Sequence, residues 1–429
     1  MVDTRAHSFS SQFGRRRFLQ IAGASVAGSA LLAACGGASS SGTTTLQQWY
    51  HQYGEAGTQQ AALRYAANYG KSQSAVNVKV TWVPGDYQTK LSTALLSPSA
   101  PDVFEFWVPY DNWVKQGLLE PLDDLFTPAI RSDFEATSLN SFMIGGKVYG
   151  VKMLDDSRFL YYRKSMLDKA GIDPKTLTSV DALMGAANRL TSSRVKGLFV
   201  GNDGGISQLQ QVLIFSTGGD ILANNQIVFD TPEVVTALEK LREIATSKAI
   251  LTGAPTDSDD PSAFTEGLTA MQWSGLWAMP AIIHTLGDDF GVLPWPASGS
   301  NGKPVVAWGG WAAMVSAKSK HVKEAKALVK SLWIDNTSAQ QDWCLNYGFH
   351  IPPRKSVAAS ATKLQNGPAA DAVKLMQNYG RTASPLVDNV MFTALNNAVS
   401  NIVKNNANAA SELHRAAQAC QAELQTLQR

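Results

Sequence analysis

The stretch that decides the fold of this chain is Gly145-Gly146-Lys147-Val148-Tyr149-Gly150-Val151-Lys152-Met153-Leu154-Asp155-Asp156-Ser157-Arg158-Phe159-Leu160-Tyr161-Tyr162-Arg163-Lys164. It predicts two short strands, 147–151 and 158–162, because their apolar and aromatic residues fit a pleated surface. An acidic kink, Asp155-Asp156-Ser157, separates the two strands. A helix should follow at once and end at Gly171.

This stretch resembles the crossover segment of the carbohydrate-binding lipoproteins of bacterial ABC importers, the maltose-binding-protein-like extracellular solute-binding proteins of family 1. The residues that carry the resemblance are Gly146-Lys147-Val148-Tyr149-Gly150, Asp156, Tyr161-Tyr162-Arg163-Lys164 and Ala170-Gly171-Ile172. Lys152 stands where proline is usual in the family. The resemblance implies that the segment carries the chain between two lobes and that Asp156 faces the cleft.

Three later segments resemble motifs of the same family. Phe264–Trp277 is similar to Phe-x-x-Gly-x-x-Ala-Met-x-x-x-Gly-x-Trp, the most specific internal match. Gly309-Gly310 and Val315 are similar to a Gly-Gly-x-x-x-x-Val strand, and Gly348–Arg354 is similar to a Gly-x-x-Pro-x-Arg turn. The resemblance therefore extends over most of the chain beyond residue 43.

The elements before the crossover follow the order β-α-β-α-β between residues 45 and 107, which predicts a mainly parallel sheet with helices on both faces. The resemblance implies an α/β, two-lobe periplasmic-binding-protein type II fold with a ligand cleft between the lobes. We expect residues 43–154 with about 309–350 in the first lobe. The second lobe should hold 155–308 with about 351–429, and the crossovers should lie near Asp155 and Trp308.

The first 42 residues are predicted to be targeting sequence rather than fold. Residues 1–34 read as a signal peptide, with a twin-arginine pattern at Arg15–Gln20 and an apolar run too short to span a bilayer. Leu32-Ala33-Ala34-Cys35 resembles a lipobox, which implies lipidation of Cys35. Residues 35–42 are then a flexible tether. Export by the twin-arginine or the general secretory route stays open.

Charge and cysteine content exclude several classes of protein. The whole chain carries +2, but residues 1–34 contribute four arginines and one aspartate, so the remainder is close to −1. A nearly neutral chain lacks the basic footprint of a nucleic-acid-binding protein. Cys344 and Cys420 match no metal spacing and could be a disulfide or two buried thiols. We expect no metal, no cofactor and no nucleic-acid partner.

Tryptophans and carboxylates are the candidate ligand-binding residues. A sugar ring presents C–H groups that pack on aromatic faces and hydroxyls that bond to carboxylates, amides and arginine. The predicted ligand-binding residues are Trp49, Trp107, Asp111, Asp156, Trp273, Trp277, Gly310, Trp311, Arg354 and Phe392. Core packing is the alternative for each tryptophan. A helix N-terminal acid is the alternative for Asp111, and a structural ion pair is the alternative for Arg354.

The function implied by the resemblance is that of a lipid-anchored, extracytoplasmic receptor that captures a mono- or oligosaccharide and delivers it to an ABC-type permease. We expect a monomer without catalytic residues, because the zinc-protease, nucleophile-elbow and phosphate-loop motifs are missing from the sequence. One alternative is a receptor for a glycerophosphodiester or another polar solute. A second is a secreted carbohydrate-active enzyme, since paired carboxylates suffice for glycoside hydrolysis.

Overall fold

Two open β-sheets organise residues 43–428, the part of the chain that this computed structural model describes. The predicted signal peptide, the tether and the lipidation at Cys35 lie outside these residues. The strands of the described part are β1 (Thr44–His51), β2 (Val76–Val83), β3 (Val103–Phe106), β4 (Met143–Ile144), β5 (Lys147–Val148), β6 (Val151–Asp156), β7 (Arg158–Tyr162), β8 (Lys196–Phe199), β9 (Leu222–Ala223), β10 (Gln226–Ile227), β11 (Thr269–Gly275), β12 (Gly291–Leu293), β13 (Val306–Ala307), β14 (Gly309–Val315) and β15 (Gly380–Arg381).

Helices cover the sheets and form most of the chain beyond residue 316. They are α1 (Thr58–Ser72), α2 (Tyr87–Leu95), α3 (Asp111–Lys115), α4 (Pro128–Asp133), α5 (Ala136–Asn140), α6 (Lys164–Lys169), α7 (Val180–Leu190), α8 (Ile206–Ser216), α9 (Pro232–Thr246), α10 (Ser262–Thr265), α11 (Met279–Leu286), α12 (Val322–Lys330), α13 (Thr337–Leu345), α14 (Lys355–Ala359), α15 (Gly367–Tyr379), α16 (Asn389–Lys404) and α17 (Ala409–Leu427). Short 3-10 turns occupy Asp123–Leu125, Pro174–Thr176, Leu276–Ala278 and Thr362–Leu364, and Ser331–Asp335 is π-helical.

The first sheet has the strand order β2-β1-β3-β14-β6. Its first three strands are parallel, as the β-α-β-α-β order predicted, whereas β14 runs antiparallel to both β3 and β6. Successive side chains of a strand point to opposite faces of the sheet, so they alternate between two cores. Val103 packs into one core cluster with α1, α12 and α13, and Phe104 packs into the other with α2 and α3.

The chain leaves the first sheet at Ser157, the residue between β6 and β7. β6 extends to Asp156, so the two acids are strand residues that face Gly310 and Gly309 of β14. Our expectation of a strand ending at residue 151 and an acidic kink was therefore wrong: the carboxylates are held by strand pairing. The helix after β7 ends at Gly171, as predicted, where φ is +61°.

The second sheet has the strand order β12-β7-β11-β8. Phe159 and Tyr161 of β7 join the core cluster that contains Val103, whereas Leu160 packs into a separate core. Helices α7, α8, α9, α16 and α17 supply the apolar partners of that core. Helix α9 begins with a side-chain cap, because the Thr231 hydroxyl accepts from Val234 N at 3.3 Å and Pro232 is the first helical residue. The last two long helices thus lie with the second sheet.

Residues 351–359 do not follow our expectation of joining the second sheet. Arg354 forms an isolated bridge with Phe134, and Ser356 N donates to Asp133 Oδ1 at 2.9 Å. This segment therefore lies with the first sheet, whereas the later helix α15 contacts β12 and helices α16 and α17 lie with the second sheet, as expected. The ion pair between Arg354 and Asp133 explains the placement, which the turn motif alone did not reveal.

Cys344 and Cys420 are buried free thiols in two different core clusters. Burial raises the pKa of the Cys344 thiol well above its ordinary range, and the nearby Asp155 carboxylate adds to the effect. These thiols are packing residues, one of the two interpretations that the sequence left open. No helix within residues 43–428 is both long and apolar enough to cross a membrane.

Candidate ligand-binding cleft

A cavity of about 960 Å³ opens where the strand ends of the two sheets meet. Its lining combines the loop after β1, the crossover, the segment before α10, the start of α11, Trp311 of β14 and the residues after α13. The lining residues are His51, Gln52, Tyr53, Gly54, Glu55, Ala56, Asp156, Arg158, Asp259, Asp260, Pro261, Ser262, Thr265, Trp277, Pro280, Ala281, Trp311, Asn346, Tyr347 and His350. A smaller cavity of about 410 Å³ shares His51, Gln52 and Trp311 with it.

Trp277 forms one aromatic wall of the larger cavity. The Arg158 guanidinium lies 4.7 Å from the centre of its ring, and its Nε1 donates to the Asp259 carbonyl oxygen at 2.8 Å. Arg158 also pairs with the Asp259 carboxylate. A Cβ on Gly275 would lie 1.9 Å from the indole, so only glycine at that position permits this ring orientation. The Gly-x-Trp spacing of the motif therefore has a steric cause.

Trp311 forms the wall between the two cavities. Its ring stacks on His51 with centroids 3.9 Å apart and meets Trp107 edge-on at 5.4 Å. His51 Nδ1 lies 2.5 Å from Glu105 Oε1, and the Tyr53 hydroxyl donates to Glu105 Oε2 at 2.7 Å. A buried carboxylate thus holds His51 and Tyr53 in place, and these residues in turn support the indole.

The floor of the larger cavity is a chain of two carboxylates and one imidazole. Glu55 Oε1 lies 2.9 Å from His350 Nε2, and Asp156 Oδ2 lies 3.3 Å from His350 Nδ1. Asp156 Oδ1 accepts from Ser157 N at 2.7 Å. Burial alone would lower the pKa of His350, but the nearby charges of Asp156 and Glu55, with the hydrogen bond to Glu55, raise it to about 10. His350 is therefore an imidazolium at neutral pH.

The same contacts shift the pKa of Glu55 in the opposite direction. Burial would raise the pKa of this carboxyl, but its hydrogen bond to His350 and the charge of that imidazolium lower the pKa below its ordinary value. Glu55 and His350 thus form an ionised, hydrogen-bonded pair.

A buried ion pair lies beneath the crossover. Lys152 Nζ is 3.2 Å from Asp155 Oδ1, which also accepts from Trp308 Nε1 at 3.0 Å. Ser138 donates to the other oxygen of Asp155. Burial lowers the pKa of Lys152 despite the nearby carboxylate. Lys152, at the position where the family usually has proline, therefore forms an ion pair with Asp155. Asp156 is the acid that lines the cavity.

The structure brings together five of the predicted site residues. Asp156, Trp277 and Trp311 line the larger cavity, and Trp107 lines the smaller one. Phe392 joins Trp107 around a further space of about 110 Å³. Their role in ligand binding stays a prediction.

The other five predicted site residues line neither the cavity of about 960 Å³ nor the cavity of about 410 Å³. Trp273 is fully buried against Trp295, with centroids 5.4 Å apart. Trp49 is half-buried in the core cluster of α2 and α3. Gly310 has φ of +112°, and a Cβ there would lie 2.2 Å from Leu154 O, so it allows β14 to approach β6.

Asp111 and Arg354 follow their structural alternatives. Asp111 opens α3, where its Oδ2 lies 3.3 Å from Lys115 Nζ, and it borders a separate space of about 520 Å³. Arg354 Nε donates to Asp133 Oδ2 at 2.8 Å and its Nη1 donates to the Ile334 carbonyl at 2.6 Å. The arginine of the turn motif therefore ties α14 to the first lobe.

Replacement of Arg354 by methionine should lower the free energy of unfolding by about 1.5–3 kcal/mol, the usual range for hydrogen bonds to charged groups. Ligand affinity should not change, because Arg354 lies outside the cavity. Urea denaturation and calorimetric titration of the same preparation measure the two effects. A loss of affinity without a loss of stability would contradict the structural role.

Sequence reasoning missed several residues that line the larger cavity, among them His51, Tyr53, Glu55, Arg158 and His350. No motif marks the loop after β1. The available signal was its position directly beyond the end of a central parallel strand, where ligands of open α/β sheets bind.

Folding stability should fall as the pH rises from about 6.5 to about 10 because of His350. Its pKa is raised from 6.5 to about 10 on folding, so its stabilising charge is fully present below pH 6.5 and is lost as the pH passes 10. Urea denaturation of the wild type and of His350→Gln across this range isolates the contribution as a difference. An equal pH slope in both proteins would contradict the assignment.

Comparison with known proteins identifies the family. Residues 64–372 match the family model of the bacterial extracellular solute-binding proteins. This chain belongs to that family. Among sequence relatives, the multiple sugar-binding protein of Streptococcus mutans is 26% identical over 320 residues, 70% of this chain and 75% of the relative. An arabinooligosaccharide-binding protein of Bacillus subtilis is 25% identical over 262 residues, 58% of this chain and 59% of the relative.

Solved structures of other solute-binding proteins share the architecture. The GacH receptor of Streptomyces glaucescens, studied unliganded and with acarbose, has a TM-score of 0.76 and 25% identity, covering 89% of this chain and 99% of the receptor. The maltotriose-binding protein of Thermus thermophilus has a TM-score of 0.73 and 19% identity, covering 88% and 99%. The predicted α/β two-lobe fold of a periplasmic solute-binding protein is confirmed.

Within residues 43–428, His, Cys, Asp and Glu side chains form no group of three that could hold a metal ion. The cavity offers hydrogen-bonding groups, aromatic faces and fixed charges. Such a site can bind and orient a polar ligand between two aromatic walls.

Proposed function

We propose that this solute-binding protein captures a carbohydrate, a mono- or oligosaccharide, in the cleft and delivers it to an ABC-type permease. The observation that carries the proposal is the arrangement of Trp277 and Trp311 beside the Asp156 carboxylate in one cavity. Aromatic faces pack on the C–H groups of a sugar ring, and a carboxylate accepts from its hydroxyls. Sugar-binding relatives support the same ligand class.

The receptor is non-enzymatic and acts as a monomer in this proposal. Closure of two rigid lobes around one ligand gives the permease a shape to recognise. The alternative of a glycerophosphodiester ligand finds less support, because the one arginine at the larger cavity is already paired with Asp259. The cavity thus offers no unpaired arginine or lysine to a phosphate.

A thermal-shift screen of the purified protein against mono- and oligosaccharides tests the proposal. A receptor gives a rise in Tm with its cognate sugar and leaves that sugar intact in chromatography of the incubation mixture. Turnover of a sugar would instead favour the carbohydrate-active enzyme. A rise in Tm with glycerophosphodiesters, and with no sugar, would favour the other receptor.

Anchoring through Cys35 is part of the proposal and has its own test. Cys35→Ala removes the sulfur that the lipid would modify, so the protein should move from the membrane fraction to the soluble fraction of the producing cells. Immunoblots of the two fractions measure this shift, with Cys344→Ala as the matched control because that thiol is buried. Equal membrane association of both variants would contradict lipidation.

A further inference from the structure

The larger cavity carries more carboxylates than cations. Four carboxylates border it, those of Glu55, Asp156, Asp259 and Asp260. The cations on its border are Arg158, which pairs with Asp259, and His350.

A second histidine does not supply the missing positive charge. His51 lies against Glu105, whose side chain is 1% exposed, so any positive charge on His51 is matched by that carboxylate. No lysine is among the residues that line the larger cavity. A ligand in this cleft therefore meets a negative field from its floor and from its rim.

His350 is the residue that connects the two carboxylates of the floor. Its side chain is 4% exposed, and each ring nitrogen faces one carboxylate, Glu55 on one side and Asp156 on the other. The hydrogen bond uses Oε1 of Glu55, and no hydrogen bond among residues 43–428 uses Oε2. Glu55, which lines the cavity, thus retains one carboxylate oxygen as an unused acceptor.

We infer that the cleft selects uncharged and amine-bearing sugars over anionic ones, and that His350 is the positioning residue that holds Glu55 and Asp156 as acceptors for them. This inference rests on the proposed function and deepens it. A hydroxyl or ammonium group donates to the free lone pairs of the two carboxylates. A carboxylate or phosphate on the ligand would instead meet a like charge in a partly desolvated site.

The selectivity test compares sugars that differ in one group. Glucose, glucosamine and glucuronate, and the corresponding galactose series, are titrated calorimetrically as monomers and as trimers at low salt. In any series that binds, the neutral sugar or the amino sugar should bind about tenfold or more tightly than the uronate. The reason is the free-energy cost of bringing the uronate carboxylate close to the carboxylates of the cavity. Equal or tighter binding of the uronate would overturn the inference and leave the proposed function intact. The same comparison is made for the sugar that gives the largest thermal shift, and absence of binding by every sugar of that screen and of these series would overturn both.

Charge variants show whether the acids of the cavity cause the selectivity. Asp260→Asn removes one exposed carboxylate from the rim and should reduce the preference over the uronate several-fold. Asp288→Asn is the matched control, because Asp288 is exposed and does not line the cavity. An equal change of preference in both variants would contradict an effect of the cavity field.

The positioning role of His350 has a signature that a purely structural role lacks. Wild-type affinity for the neutral sugar should be constant between about pH 6 and about pH 8, because the imidazolium stays charged. In His350→Gln the two carboxylates lose their counter-charge, so affinity should fall about tenfold and become pH-dependent in that range. Glu55→Gln keeps the shape of the floor and should also weaken binding. Lower stability with unchanged affinity in both variants would overturn the role of His350.

Discussion

Trp277→Ala should weaken sugar binding by about 2–4 kcal/mol, which corresponds to about 30- to 1000-fold in the dissociation constant. The substitution removes one aromatic wall of the cavity and the platform on which the Arg158 guanidinium lies. The half-buried ring lines the cavity and packs only against the edge of a core cluster, so the protein should stay folded. Calorimetric titration with the cognate sugar, together with circular dichroism of the variant, measures both quantities.

Two controls accompany this measurement. Trp277→Phe retains a flat face and should recover part of the lost affinity. Trp49→Ala removes an equally large, half-buried indole that lines neither cavity, so it should leave affinity unchanged. Unchanged affinity in Trp277→Ala, or loss of its folded structure, would show that the site is misplaced.

Trp273→Ala should lower the free energy of unfolding by about 3–5 kcal/mol, the range for deleting a buried aromatic side chain. Trp273 is fully buried in the core of the second lobe, where its ring packs edge-on against Trp295. Urea denaturation followed by circular dichroism measures the loss, and Trp273→Phe should retain much of the stability. A stable Trp273→Ala protein with weakened sugar binding would contradict the core assignment.

The contrast between Trp273 and Trp277 shows what the motif could and could not predict. The sequence identified the segment, because its spacing of glycine, methionine and tryptophan is specific. It did not separate the two tryptophans, because β11 is buried along its whole length and gives no alternation between polar and apolar residues. Only the turn after Gly275 directs Trp277 toward the cavity.

The crossover was predictable in position but not in detail. Apolar and aromatic residues and a glycine stop predicted two strands, a break between them and a helix in the correct order. The extension of β6 to Asp156 depends on pairing with Gly309 and Gly310, which are about 150 residues away in sequence. The distinct roles of Asp155 and Asp156 follow from that pairing and from the buried Lys152.

The sequence did not predict which residues form the floor of the cavity, for a related reason. Glu55, Asp156 and His350 come from three segments separated by about 100 and about 190 residues, and no short motif links them. The aromatic composition indicated a sugar ligand, whereas the negative field of the cavity appears only when these segments meet. Arg354 shows the converse, since its motif was recognised and its partner Asp133 was not.

A crystal structure of the complex with a sugar tests the central claim most directly. The sugar is the one that gives the largest thermal shift. The account predicts a sugar ring in the cavity between the lobes, in van der Waals contact with the Trp277 face at about 3.5–4 Å. A ring hydroxyl should lie within about 3 Å of an Asp156 or Glu55 oxygen. A sugar bound elsewhere on the protein, with Trp277 and Asp156 untouched, would contradict it.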